Sequence, residues 1–293
     1  MNQLNLSNIT AQTPSISSSA MLVELNISVW TGRKFDKGVS AEVAINKQAD
    51  NNSGNYNKKL FPNNPTFDAI TKYAGNARTY HYHATMPWSD SGVRLLTTAM
   101  YFDYAKEISR MQMEFDALVE DFLKDYYNLV QSSQVKLGTM FDATDYPDVE
   151  DVRAKYRFNV RYSPVPEVGD WRVDVGNDAL KELAQSYELA YQQNLETAYK
   201  DVWTRTHEAL SRMSDKLAGN NKQIFRDTLV SNVTEMVDLL DKFNVTGDAE
   251  MRKAKDLISD ALMGITPDAL REDTYLRQET KSKVDALLKE FSW

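Results

Sequence analysis

The stretch Asn177–Leu217, NDALKELAQSYELAYQQNLETAYKDVWTRTHEALSRMSDKL, decides the architecture of this chain. Leu180, Leu183, Tyr187, Tyr191, Leu195, Ala198, Val202, Ala209, Met213 and Leu217 recur at intervals that favour one helical face. Polar residues fill the gaps and neither Pro nor Gly interrupts, so the pattern predicts a single amphipathic helix of about forty residues. Gly219-Asn220 ends it. Toward the C-terminus, Phe225, Leu229, Val233, Met236, Leu240 and Phe243 mark a helix over 222–244. A third runs over 248–263 and closes at Gly264. Thr266, with Pro267 in the first helical position, opens a last one that reaches Phe291. Helices this long invite antiparallel pairing or a coiled coil.

Toward the N-terminus the same period returns over Thr98–Val135. Tyr101, Ala105, Ile108, Met111, Phe115, Leu118, Phe122, Tyr126 and Leu129 trace a helix of about 50 Å, closed by Gly138. Before it, Met21–Trp30 (MLVELNISVW) alternates instead. Leu22, Glu24, Asn26 and Ser28 take one side, and Val23, Leu25, Ile27 and Val29 the other, which predicts a strand ended by the turn Thr31–Lys34. Arg157–Tyr162 and Trp171–Val175 predict a hairpin to which Met21–Trp30 adds a third strand. Residues 39–49 read as a short helix, 50–55 as a loop, and Pro65 opens a helix carrying Phe67, Ile70, Tyr73, Ala74 and Ala77. Residues 84–97, with Pro87 and Gly92, read as irregular or extended, and a short helix follows Pro147. The fold class is mainly α: a long-helix bundle or coiled-coil-like extension with a small N-terminal α+β part. Residues 1–20 form a flexible arm, 21–176 the α+β region with one long helix, and 177–293 the helical bundle.

Bulk composition narrows the function. With 42% hydrophobic and 26% charged residues the chain is globular rather than disordered, and 293 residues suffice for two domains or one core with a helical extension. A formal charge of -8 disfavours a general nucleic-acid binder. Any polyanion contact belongs in residues 1–100, where nine Lys/Arg face six Asp/Glu. Cysteine is absent, which excludes disulfides, thiolate metal sites and cysteine nucleophiles. The start MNQLNLSNITAQTPSISSSA has no secretory-signal pattern, and no apolar run approaches the ~18 residues of a membrane span. A soluble, cytoplasmic protein is expected.

Catalytic constellations are not apparent. His81 and His83 share a face only on a strand, and the remaining histidine, His207, lies in the long helix, so packing is favoured over zinc. Glu114, Asp116, Glu120, Asp121 and Asp125 belong to one amphipathic helix, whereas a two-metal site draws carboxylates from several elements. They read as its solvated face. Neither a phosphate-cradling loop, a dinucleotide fingerprint, GxSxG nor HExxH occurs, so neither an enzyme nor a cofactor is expected. The candidate binding residues are Trp30, Arg33, Lys34, Arg78, Tyr80, Tyr82, Trp88 and Arg94, accompanied by Lys37, His81 and His83. Interleaved aromatics and cations can stack bases and neutralise phosphates; they equally suit arginine packed over aromatic rings. Within this set Arg33 offers a bidentate fork for carboxylate or phosphate and Lys34 a point charge.

Leu25–Lys34 (LNISVWTGRK), the Pro87-Trp88 and Gly92–Arg94 linker, the helix bearing Phe115, Phe122 and Tyr126, and Val152-Arg153 with Tyr156-Arg157-Phe158 carry a resemblance. Over residues 21–175 the chain resembles a domain-of-unknown-function family of phages, plasmids and integrative elements. Its members accompany a MoxR/CobS-type AAA+ ATPase and a von Willebrand A-domain protein. The resemblance implies a mobile-element setting and a non-enzymatic partner role; it supplies no catalytic residues.

The expected function is therefore interaction or self-assembly, with a protein partner such as an AAA+ ATPase, and a homo-oligomer strapped by the N-terminal arm. An accessory single-stranded nucleic-acid-binding protein is the alternative. A virion structural protein differs from the first reading only in copy number.

Overall fold

A computed structural model describes residues 16–50, 52–166, 177–218 and 228–291. The elements run α1 (Ile16–Ser19), β1 (Ala20–Ser28), β2 (Arg33–Phe35), α2 (Lys37–Asn46), β3 (Asn57–Lys59) and α3 (Pro65–His83). They continue with β4 (Met86–Pro87), β5 (Arg94–Thr97), α4 (Thr98–Lys124), α5 (Tyr126–Leu137), α6 (Val149–Arg153) and β6 (Arg157–Pro164). Last come α7 (Asn177–Ala218), α8 (Thr228–Phe243), α9 (Ala249–Leu262), α10 (Pro267–Glu272) and α11 (Thr274–Glu290). Helix takes up 69% of the described residues, which places the chain in the mainly α class. Among those residues no helix is long and apolar enough to cross a membrane. Of the arm expected over 1–20, residues 1–15 lie outside the described residues, as do the strand at 171–175 and the start of a helix at 222, whereas 16–20 form α1 and the first residue of β1.

The chain divides into two units. One takes residues up to Glu24, Tyr82–Tyr104 and Arg161 onward; the other takes Leu25–His81 and Ala105–Val160. This differs from a division after residue 176. Tyr82–Tyr104 groups with the C-terminal helices because β4 packs on α7.

In the first unit, β5 pairs antiparallel with both β1 and β4, within a sheet of order β4-β5-β1-β6. The stretch 84–97, expected to be irregular or extended, holds both β4 and β5. Four residues are too few to show a period, yet Leu95 and Leu96 are both fully buried, as a strand covered on both faces requires. The β4–β5 turn closes through Ser89 N–H to the Val93 carbonyl (3.2 Å), with Gly92 at φ 92°. The α7 stripe is realised only in part. Leu195, Ala198, Val202, Met213 and Leu217 are buried, Ala209 is half-buried while the unanticipated Leu210 beside it is fully buried, and α7 packs on α8 and α11. Leu183 and Leu189, in its N-terminal half, are exposed. Tyr199 Oη pairs with Thr246 Oγ1 and accepts the Thr246 N–H at 3.1 Å, fixing α7 to the α8–α9 turn.

The single helix expected over 266–291 is two. Asp273 is extended (φ -105°, ψ 107°), and its carboxylate accepts the N–H groups of Tyr275 and Leu276, so α11 starts afresh. Arg277, 5% exposed, donates to the Leu270 carbonyl (2.9 Å) and the Arg271 carbonyl (3.1 Å), satisfying the end of α10.

The second unit is built on aromatic rings. Phe61 lies 5.4–5.9 Å from Trp30, Phe67, Phe122, Tyr126 and Tyr146, centroid to centroid. The helix expected over 98–135 breaks at Asp125 (φ -101°, ψ 6°) into α4 and α5. The break coincides with Tyr126, whose buried ring joins this cluster and whose Oη donates to the Pro147 carbonyl at 2.8 Å. α2 starts earlier than expected because Asp36 caps it, accepting the Val39 N–H. Asn64 caps α3 in the same way through the Phe67 N–H, one residue before Pro65.

Candidate interaction site

The motif Trp30-Thr31-Gly32-Arg33-Lys34 leads from β1 into a two-stranded ladder. Trp30 packs edge-on against Phe61 (5.7 Å) and Phe67 (6.1 Å), so the ring serves the core. Gly32 has φ 55°, and a Cβ there would lie 2.5 Å from Phe67 Cζ. Only glycine fits both the turn and the ring.

β2 and β3 pair antiparallel with Arg33 opposite Lys59, Lys34 opposite Lys58 and Phe35 opposite Asn57. Four cations thus occupy two cross-strand pairs. Like charges directly opposite are destabilising, and the fold neutralises one pair. Lys58 is buried; its Nζ meets the Asp145 carboxylate at 2.7 Å, the Met140 carbonyl at 2.6 Å and Asp36 at 3.7 Å. Lys34 shares Asp145 at 3.7 Å. Burial by itself would lower the Lys58 pKa. The hydrogen bond and charge of Asp145, then the charges of Asp36 and Asp142, outweigh it and hold the ammonium above the ordinary lysine value. Asp142 moves the other way, its carboxyl lowered by hydrogen bonds from Thr144 and by Lys58 and Lys34. Phe35, Lys37, Lys58, Met140, Phe141 and Asp145 are among the residues lining an open cleft of about 520 Å³ beside this pair.

The other pair is left charged. Arg33 and Lys59 are exposed and have no ionic partner among the described residues; the same holds for Lys37. The same stretch of chain also exposes apolar side chains. Phe35 is 48% exposed, Val43 50%, Ile45 72% and Tyr56 40%, so one short segment holds four large apolar side chains in solvent. Tyr56 is held beside α2 by its N–H to Ser40 Oγ at 3.0 Å.

The eight residues singled out from sequence divide between the two units. Trp30, Arg33, Lys34, Arg78 and Tyr80 belong to one unit, and Tyr82, Trp88 and Arg94 to the other. Arg78 donates to the Ile27 carbonyl at 2.8 Å, and Tyr80 is half-buried on α3. The Arg94 guanidinium sits 5.0 Å over the Tyr82 ring and donates to Thr85 Oγ1 (2.6 Å) and the Thr85 carbonyl (2.9 Å). Burial, then the nearby Arg205 charge, lowers its pKa. Trp88 is buried against Tyr191 at 5.5 Å. His81 and His83 fall on a helix rather than a strand; His81 is buried and His83 exposed. Phe35 and Lys59 were not anticipated, because strands of three residues carry no readable period. Their clue is the cationic run at both ends of the 35–56 segment. Among the described residues no three His, Asp or Glu side chains converge as a metal site would require. No family model, curated protein or solved structure matches the chain.

Proposed function

We propose that this protein is a non-enzymatic interaction and self-assembly subunit that makes its contacts through the β2–α2–β3 face. The observation that carries this reading is that the segment 33–59 leaves Phe35, Val43, Ile45 and Tyr56 in solvent and also holds Arg33, Lys37 and Lys59, which have no ionic partner among the described residues. Water-exposed apolar surface is stabilised when a second surface covers it. The helices α7–α11 act as the long-helix bundle of the assembly. The resemblance in Leu25–Lys34 supports a mobile-element setting in a bacterial cytoplasm, with an AAA+ ATPase as partner.

The test is the variant Val43→Glu with Ile45→Glu. Both side chains point into solvent, so the melting temperature should hold, while light scattering should show the loss of species larger than the monomer. Oligomers that survive unchanged would place the contacts elsewhere and remove this face from the account. An accessory single-stranded nucleic-acid-binding role is the second reading. It is favoured by the aromatic and cationic character of the same face, with Phe35 and Tyr56 beside Arg33, Lys37 and Lys59.

A further inference from the structure

The β2–β3 register states which backbone groups are spent. Leu60 N–H donates to the Gly32 carbonyl at 2.7 Å, and Asp36 N–H donates to the Tyr56 carbonyl at 2.9 Å. Both pairs lie in the register of Arg33 with Lys59, one residue before it and three after. Even-numbered residues of β2 therefore form the hydrogen-bonded pairs, and Arg33–Lys59 and Phe35–Asn57 are the non-hydrogen-bonded ones. Two consequences follow. Partners in non-hydrogen-bonded pairs have the closer backbones, so Arg33 and Lys59, without an ionic partner among the described residues, start from neighbouring positions as near as the ladder allows. The N–H and C=O groups of Arg33 and Phe35 point away from β3, and all three residues of β2 are exposed.

We infer that the outer edge of β2 accepts an extended acidic segment of a protein partner as an added strand. The inference rests on the interaction reading above and names the partner's chemistry. Backbone groups of Arg33 and Phe35 would pair with the incoming strand. Its side chains repeat every second residue, matching the spacing of Arg33 and Phe35 on one face. A carboxylate meets Arg33, with Lys59 beside it, and an apolar residue meets Phe35. The acidic choice follows from charge: Lys34 and Lys58 are already balanced by Asp145 and Asp36, whereas Arg33 and Lys59 are balanced by nothing described. An anionic strand removes the like-charge repulsion that the ladder otherwise retains.

The experiment uses fluorescence anisotropy of the full chain with a labelled peptide of alternating Glu and Val. Parallel probes are its Lys–Val counterpart, the Glu–Val peptide N-methylated along one edge, and an oligothymidine. The Glu–Val peptide is expected to bind, the Lys–Val peptide not. N-methylation should abolish binding, because it removes the edge donors while leaving every side chain. Arg33→Glu with Lys59→Glu should weaken binding about tenfold or more, as two lost ion pairs become two repulsive ones; Arg33→Gln with Lys59→Gln, free of repulsion, should weaken it less. Equal binding of the N-methylated peptide would overturn strand addition. Binding of oligothymidine without binding of the acidic peptide would overturn the acidic-peptide assignment in favour of nucleic acid. If no probe binds while light scattering still shows self-association, this site is wrong and the interaction reading stands. If self-association is absent too, both fall.

Discussion

Gly32→Ala is the most informative single substitution, since it tests why the Trp-Thr-Gly-Arg-Lys turn has its sequence. The backbone at Gly32 has φ 55°, a region where an L side chain costs about 1 kcal/mol. The added Cβ would meet Phe67 Cζ at 2.5 Å and its two Cε atoms at 3.0 and 3.2 Å. The ring has little room to retreat, packed 5.4 Å from Phe61, 5.5 Å from Phe122 and 6.1 Å from Trp30. Nor is the backbone free, because the Gly32 carbonyl accepts the Leu60 N–H at 2.7 Å. Forced overpacking of this kind costs about 1–3 kcal/mol, which brings the total to roughly 2–4 kcal/mol. Urea unfolding followed by tryptophan fluorescence measures it, with an unchanged slope as the sign that stability alone has moved. In a Phe67→Ala background the Cβ has room, and the cost should fall to the backbone part, about 1 kcal/mol. A cost equal in both backgrounds would refute the packing argument, and no cost in either would refute the turn geometry as well.

Three further outcomes are expected. Arg277→Met removes the donor to the Leu270 and Arg271 carbonyls and should cost about 1–3 kcal/mol in thermal unfolding, with an unchanged melting temperature counting against the capping role. Tyr126→Phe keeps the ring and loses the bond to the Pro147 carbonyl, for about 1 kcal/mol; burial holds the Tyr126 phenol up at about 12, so the stability it contributes below pH 10 is lost as pH rises toward 12, and the variant should show a shallower alkaline limb. The Asp285 carboxyl is held below its ordinary value of 3.8 by hydrogen bonds from Lys281 and Ser214, so its contribution is present above that pH and lost as pH falls through the lowered value; Asp285→Asn should flatten the acid limb of unfolding midpoint against pH, and an identical limb would contradict the pairing.

Helix was legible where the apolar period was long and the stops were chemical. Thr266-Pro267, Gly264 and the α7 stripe from Leu195 to Leu217 all lie where local propensity and tertiary packing agree. The breaks at Asp125 and Asp273 were not legible, because the apolar spacing continues through both. What divides the chain there is a ring inserted into the core at Tyr126 and a carboxylate cap at Asp273, each a tertiary or single-residue effect. The strands β2 and β3 escaped for a different reason, being too short to alternate visibly, and for β4 and β5 the same shortness left 84–97 legible only as irregular or extended. For the candidate site, sequence located Arg33 and the supporting Trp30. It could not show that Lys34 is drawn to Asp145, more than a hundred residues away, or that Lys59 stands opposite Arg33. Arg78, Tyr82, Trp88 and Arg94 combine the same residue types, but their partners are carbonyls and rings of the chain itself.

Mass photometry of the wild-type protein from nanomolar to micromolar concentration, with and without an oligonucleotide, tests the interaction and assembly reading most directly. The account predicts species heavier than the 33.4 kDa chain whose fraction grows with concentration and is unaffected by the oligonucleotide. A constant 33.4 kDa mass throughout would contradict it, and growth only when the oligonucleotide is present would transfer the face to nucleic acid.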